Sequence, residues 1–425
     1  MRKSSYRLAA ALAAVALVVT GCSSSPKDEA SGAADKQLEI FTWWAAGGEK
    51  AGLDAMQATF EAANPDTAFV NASVSGGAGV NAKAVLTSRL EANDPPDSFQ
   101  AHAGMELDSY VKSGKLEDLT SLYASEGWDT IFPADLIKTL TVDGKIYSVP
   151  VNIHRANVLW YNPATATKAG ITAAPVTLDE FFADLEKFKK AGVTPLALAT
   201  EWTQAHLLDW MLLATLGPDA FEGLYNGTTS WTGPEVAAGI KNFQKALGYA
   251  NKDAQNLDWP DAGKLITSGK AGFFIMGDWA SAQWQSEGLV LGTDYTWAPA
   301  PGTVGVYQWL SDSFTLPIGA KNRNAALAWL KVCGSQAGQD AFNPLKGSIS
   351  ARTDSDLTKY DSYLQAAAAQ WKTDRLVGST VHGVMGNNAL MAAYNSAVGK
   401  YFTGGFKDNA GFAKDLAAAY EAGKA

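Results

Sequence analysis

The chain has 425 residues, a formal net charge of −9 and only 18% charged side chains. An acidic, sparsely charged surface argues against a nucleic-acid partner, and the length suffices for about two domains. Fourteen tryptophans are a heavy supply of flat apolar surface, most of it expected in the core and a few rings free to serve as ligand platforms.

At the N-terminus Arg2, Lys3 and Arg7 precede an apolar run over residues 8–19. The run is too short for a stable membrane span and reads as a secretory signal. It ends in Val19-Thr20-Gly21-Cys22, which resembles the lipobox of bacterial lipoproteins. The resemblance implies diacylation of the Cys22 thiol and cleavage before it. Residues 1–21 are then a lipoprotein signal peptide, and residues 22–36, opening on Ser23-Ser24-Ser25, a flexible tether from the membrane. Setting aside the first 21 residues, with their three basic side chains, leaves 404 residues and takes the net charge to −12. Cys333 is the only other cysteine, so neither an intramolecular disulfide nor a cysteine metal cluster is expected. It follows an apolar helical pattern over residues 325–330 and reads as a buried, inert thiol.

Residues 38–43 alternate and are rich in β-formers, a first strand. Leu53, Met56 and Phe60 then fall at helical spacing within residues 49–63, and Asn64-Pro65 closes that helix. Residues 67–74 read as a second strand, 82–90 as a second helix broken by Asp94-Pro95-Pro96, and 97–101 as a third strand. This β-α-β-α-β order predicts an open, mostly parallel sheet covered on both faces. Ligands bind such sheets beyond the carboxyl ends of the strands. Trp43 with Trp44, the loop over residues 76–81, and Gln100 with His102 occupy those ends and are expected to converge.

Further on, residues 145–150 and 157–161 read as strands, residues 178–250 as mostly helical, and 257–269 as another helix. Residues 271–276 form a strand ending in Gly277-Asp278-Trp279, residues 314–317 return to strand, and the tail from Asn388 is Ala-rich helix.

Several segments recur as a set in one group of proteins: Phe41-Thr42-Trp43-Trp44, Ser75-Gly76-Gly77-Ala78-Gly79-Val80-Asn81, Gln100-Ala101-His102-Ala103-Gly104-Met105-Glu106 and Val149-Pro150-Val151-Asn152-Ile153-His154-Arg155. Met276-Gly277-Asp278-Trp279, Leu310-Ser311-Asp312-Ser313-Phe314 and Phe342-Asn343-Pro344-Leu345-Lys346-Gly347-Ser348 complete it. From about residue 37 onward the chain resembles the extracellular solute-binding protein family 1, within it the glucose/mannose-type binding proteins of sugar ABC importers. The resemblance implies an α/β, two-lobed periplasmic-binding-protein fold (type II) with the ligand cleft between lobes. Lobe 1 would comprise residues 37–150 plus 312–375, lobe 2 residues 151–311 plus 376–425. It further implies a monomer that binds a monosaccharide, works with ABC permease subunits, needs no cofactor or metal, and is not an enzyme.

A hexose has two apolar faces and a rim of hydroxyls, so its binder needs aromatic walls and a partner for every buried hydroxyl. By the resemblance Trp43 and Trp44 form one wall at the end of the first strand, Trp279 the opposite one, and Trp259, at a turn before Pro260, a further platform. Asp312, at a crossing between lobes, is the expected hydroxyl acceptor, because an acid in an apolar strand is costly unless paired. Lys346 is the matching donor. His102 and His382 each accept from one hydroxyl and donate to another, and Gln100 and Glu49 join them. His154 and His206 are expected to support the fold. Gly76, Gly77 and Gly79 permit close backbone approach, without phosphate-cradling spacing. Alternative ligands are a disaccharide or another sugar derivative. An extracellular glycoside hydrolase would need two carboxylates about 5 Å or ~6.5–9.5 Å apart, and only Asp312 and Glu49 offer themselves. Metal delivery would need clustered ligands, whereas the four histidines at 102, 154, 206 and 382 are widely spaced. A sensor's partner would use the same capture chemistry as an importer's.

Overall fold

The alternating segment near the N-terminus forms the strand Gln37–Phe41, in which Leu38 and Ile40 are fully buried. The computed structural model that shows this describes residues 35–76 and 79–424. The signal peptide, Cys22, the tether up to residue 34 and Gly77 lie outside the described residues. Among the described residues no helix is long and apolar enough to cross a membrane.

Gln37–Phe41 pairs in parallel with Ala68–Asn71 on one side and Ser98–His102 on the other. The helices Gly47–Ala63 and Val80–Glu91 make the connections, as the β-α-β-α-β reading requires. Asp312–Thr315 and Ser148–Pro150 add antiparallel strands and complete a five-stranded sheet. A second, four-stranded sheet orders Thr296–Pro299, Val158–Tyr161, Ala271–Met276 and Thr194–Leu196. The helices Leu178–Lys190, Glu201–Leu216 and Pro234–Leu247 belong to its lobe. Thr177 and Glu180 close a capping box at the start of Leu178–Lys190. Residues 202–213 are buried on every side, the mark of a helix inside a core rather than on a surface. The fold is therefore α/β and two-lobed.

A third, three-stranded sheet, Arg375–Gly378, Val306–Leu310 and His154–Arg155, lies along the two chain crossings. Residues 151–153 alone separate Ser148–Pro150 in the first sheet from His154–Arg155 in the third. Ser311 alone separates Val306–Leu310 from Asp312–Thr315. A one-residue crossing leaves no slack, so polar residues there are held from both sides.

Several local readings change. The first strand stops at Phe41 rather than at residue 43, and both Trp43 and Trp44 lie in the segment leading to Gly47–Ala63. Trp259 is the first residue of the helix Trp259–Thr267, its N–H capped by Asp258 (2.8 Å). The strand expected at 314–317 runs two residues earlier, because Asp312 and Ser313 pair with His102 and Ala101. Thr194–Leu196 lies inside the region read as helical; at three residues, one of them Pro195, it is an edge strand with no detectable period. Cys333 is fully buried, and burial pushes its thiol pKa up, as expected of an inert side chain.

Candidate functional site

Antiparallel pairing sets Asp312 directly opposite His102, and Gln100, two residues along, shares that face. The Asp312 carboxylate is 2% exposed. Its Oδ1 accepts from Gln100 Nε2 at 2.8 Å and its Oδ2 from Asn152 Nδ2 at 2.8 Å. The Asn152 side chain closes the ring by accepting from the Asp312 N–H at 2.8 Å. His102 Nε2 stands 3.6 Å from Oδ1 and His154 Nε2 3.5 Å from Oδ2. Burial alone would raise the Asp312 pKa. The nearby His154 ring, with Lys346 and His102, overrules it and holds the carboxyl well below its usual range. The first crossing thus supplies Asn152 and His154 to the acid that the second crossing carries.

Each flanking imidazole is oriented by a further carboxylate. His102 Nδ1 donates to Glu106 Oε2 at 2.7 Å, the same oxygen that Lys83 Nζ reaches at 2.7 Å. Burial would raise Glu106, but Lys83 and His102 bring its pKa down to about 2. His154 Nδ1 donates to Asp278, whose other oxygen accepts from the Arg155 N–H at 2.9 Å. Burial would lower the His154 pKa; the Asp278 carboxylate more than offsets that and raises it. Nitrogen groups and carboxylates alternate from Lys83 through Glu106, His102, Asp312 and His154 to Asp278, so each buried acid faces a partner.

His382 and His206 differ. His206 Nε2 donates to the Ala156 carbonyl at 3.1 Å, so its Nδ1 accepts from His382 Nε2 at 2.9 Å. His382 therefore keeps Nδ1 as an acceptor. Burial pushes His206 down to about 4, and burial with neighbouring positive groups pushes His382 well below the usual value, so both are neutral at pH 7.

Aromatic rings line this cluster. Trp279 packs edge-on at 5.3 Å from His154 and 5.2 Å from His382. Its ring folds back over Gly277, where a Cβ would come within 2.1 Å of it, so only glycine fits. Trp43 lies 5.2 Å from His102 and is likewise approached by Gly79, whose φ of +95° also demands glycine. Trp44 is fully buried between Phe314 and Phe342, with Lys346 Nζ 5.3 Å from its ring centroid. Lys346, the last residue of the helix Gln336–Lys346, is 2% exposed and bonds Glu49 Oε1 at 3.1 Å. Trp259 shares a small cavity of about 100 Å³ with Trp43 and Glu49.

The fold thus gathers all ten residues expected around a ligand, distant in sequence as they are. Asn152, Asp278, Glu106 and Lys83 were missed. The i, i+4 spacing of His102 and Glu106 at a helix start was a usable signal, and Asn152 and Asp278 lie inside quoted motifs. Lys83 carried none. An open volume of about 1090 Å³ lies beside the cluster and is not centred on Asp312. It runs alongside, between Val80–Glu91 and the helices Glu201–Leu216 and Asn388–Phe402, and shares His382 with the cluster. At Asp312, among the described residues, only Gln100 and Asn152 bond the carboxylate, and His154 Nε2 beside it is buried without a hydrogen-bond partner.

Residues 45–340 match the family described as bacterial extracellular solute-binding protein. The chain is 35% identical over 398 residues to an uncharacterized ABC transporter extracellular-binding protein of Pyrococcus horikoshii, covering 92% of this chain and 90% of that protein. It is 33% identical over 401 residues to a probable sugar-binding periplasmic protein of Mesorhizobium japonicum, covering 92% and 95%. A solved chitin oligosaccharide binding protein superposes with a TM-score of 0.80 at 22% identity, covering 92% of this chain and 100% of that one.

Proposed function

The chain belongs to the bacterial extracellular solute-binding protein family, and on that premise we propose that it is the extracytoplasmic sugar-binding component of an ABC importer. It captures one hexopyranose, such as glucose or mannose, between two closing lobes, residues 37–150 plus 312–375 and residues 151–311 plus 376–425. It releases the sugar unchanged to its permease subunits. The protein works as a monomer, held at the membrane by lipid on Cys22.

The observation that carries the reading is the Asp312 cluster. A carboxylate has about four lone-pair sites; Gln100 and Asn152 take two, and two remain for adjacent hydroxyls. Lys346 and His382 supply the rest of the rim, Trp43 and Trp279 the faces, with Trp44, Trp259, Glu49 and His102 around them. No metal is needed for such recognition. The relative in Mesorhizobium japonicum, described as probably sugar-binding, supports the ligand class.

A thermal-shift panel of neutral sugars tests the reading. A ligand at 100 times its Kd that binds only the native state adds about 2.7 kcal/mol of stability. Glucose or mannose is expected to raise the unfolding midpoint; a panel without any shift would refute it.

A further inference from the structure

Between the strand Arg375–Gly378 and the helix Asn388–Phe402 the chain passes through a short strap, Ser379-Thr380-Val381-His382-Gly383-Val384. The strap is held from two cores. The helix Met105–Lys112 roots Leu107 and Tyr110 in one and donates two N–H groups to it. Met105 bonds the Val384 carbonyl at 3.2 Å and Glu106 the Gly383 carbonyl at 2.9 Å. The approach is close: a Cβ on Gly383, whose φ is +79°, would come within 2.7 Å of Glu106 Oε2. The helix Glu201–Leu216 roots Leu208 and Trp210 in the other core and holds the strap through Asp209. Asp209 Oδ2 accepts from Ser379 Oγ and from the Thr380 N–H, both at 3.1 Å, and from Gln308 Nε2 at 2.9 Å. One turn earlier on that helix, His206 accepts from His382 at 2.9 Å, and the Thr380 hydroxyl donates to Tyr225 at 2.5 Å.

The grip ends two residues short of His382, whose ring lies 5.2 Å from Trp279. Asp209 is fully enclosed, and its Oδ1 is buried without a hydrogen-bond partner among the described residues. Burial pushes its pKa up to about 6, against the pull of the bonds from the strap. The titratable groups around it are Tyr225 and Tyr394, raised well above their usual value by burial, and His206 and His382, both neutral at pH 7. Of this set Asp209 is the group that changes charge in mildly acidic medium. A proton on it turns three charge-assisted bonds into neutral, weaker ones.

We propose that Asp209 is a positioning residue of the binding site: through the strap it fixes His382 against the bound hexose, and a proton on Asp209 loosens that hold and favours release. The proposal rests on the hexose reading of the Asp312 cluster. Asp209→Asn keeps the shape and one acceptor and stands in for the protonated acid. Ser379→Ala removes one of the three bonds and leaves the carboxylate in place.

The purified full chain, the two variants, His382→Ala, and each variant combined with His382→Ala are titrated with glucose and mannose at about pH 7.5 and about pH 5. Thermal unfolding without sugar shows which of them are folded, and Ser379→Ala decides if Asp209→Asn does not fold. At the higher pH Asp209→Asn is expected to bind about three- to tenfold more weakly than the parent, because charge-assisted bonds are roughly twice as strong as neutral ones, and Ser379→Ala to lose less. The deficit of Asp209→Asn narrows at the lower pH, where the parent is protonated too. Both deficits fall below about twofold in the His382→Ala background, because residues that act through one another are not additive. Folded variants that bind as tightly as the parent, or the same deficit with and without His382, overturn the positioning role and leave the hexose reading intact. A deficit indifferent to pH overturns the release by proton uptake. A parent that binds neither sugar overturns both readings.

Discussion

Replacing Asp312 by alanine removes the acceptor on which two sheets and two crossings converge. Gln100 Nε2 and Asn152 Nδ2, each 2.8 Å from the carboxylate, lose their partner, and the imidazoles of His102 and His154 lose the acid they face. A hydrogen bond to a charged group is worth about 1.5–3 kcal/mol. Loss of two such bonds to sugar hydroxyls, partly offset by a water entering the gap, gives roughly 2–4 kcal/mol, about 30- to 1,000-fold in affinity. Asp312→Asn keeps the shape and one acceptor, so it should lose less, while turning an amide N–H toward Gln100 or Asn152. Calorimetric titration of the three proteins with glucose and mannose, beside thermal unfolding of each without sugar, separates lost binding from lost folding. A folded Asp312→Ala protein that binds either hexose as tightly as its parent would refute the reasoning.

Trp279→Ala should weaken hexose binding by about 1–3 kcal/mol, roughly 5- to 150-fold, as for loss of a buried aromatic contact; equal affinity in fluorescence titrations would show Trp279 to be core alone. For pH, the folded His206 pKa of about 4 lies below the unfolded value of 6.5. The unfolded state therefore takes up the proton first as pH falls, and stability drops between about pH 6.5 and 4. At pH 4.5 this one group removes roughly 2–3 kcal/mol; His206→Gln should show a shallower slope in denaturant titrations across that window, and an unchanged slope would contradict it. Cys22→Ser should abolish fatty-acid labelling of the chain in a bacterial host, and normal labelling would sink the lipid anchor.

Much of the architecture was legible because it rests on period and punctuation. Leu53, Met56 and Phe60 mark one helix, Asn64-Pro65 ends it, and the strands around residues 40, 70 and 99 alternate with helices in an order that fixes a parallel sheet. Several strands escaped, Val306–Leu310, Thr296–Pro299 and Arg375–Gly378 among them. His154–Arg155 has two residues and Thr194–Leu196 has three, too few for any period, and both are held by tertiary pairing. The shift of Asp312–Thr315 likewise comes from its neighbours, since Asp312 is a poor strand former that His102 and Asn152 retain. The site residues were nominated through a resemblance, and their chemistry is consistent with it. Glu106 could be paired with His102 from their i, i+4 spacing, whereas the pairing of Asp278 with His154 required coordinates, because a buried acid and its partner need not be close in sequence. A crossing at Asp312 was expected only through the resemblance, and that a single residue, Ser311, separates the two strands there had no signal.

The central claim is that a hexose is bound where Asp312, Trp43 and Trp279 meet. Titration of the purified chain with glucose and mannose at pH 7, following heat and tryptophan emission together, addresses it most directly. The account predicts one-to-one saturation with at least one of the two and an emission change with the same midpoint as the heat. Saturation without any change in emission, or no heat with either sugar, would contradict it.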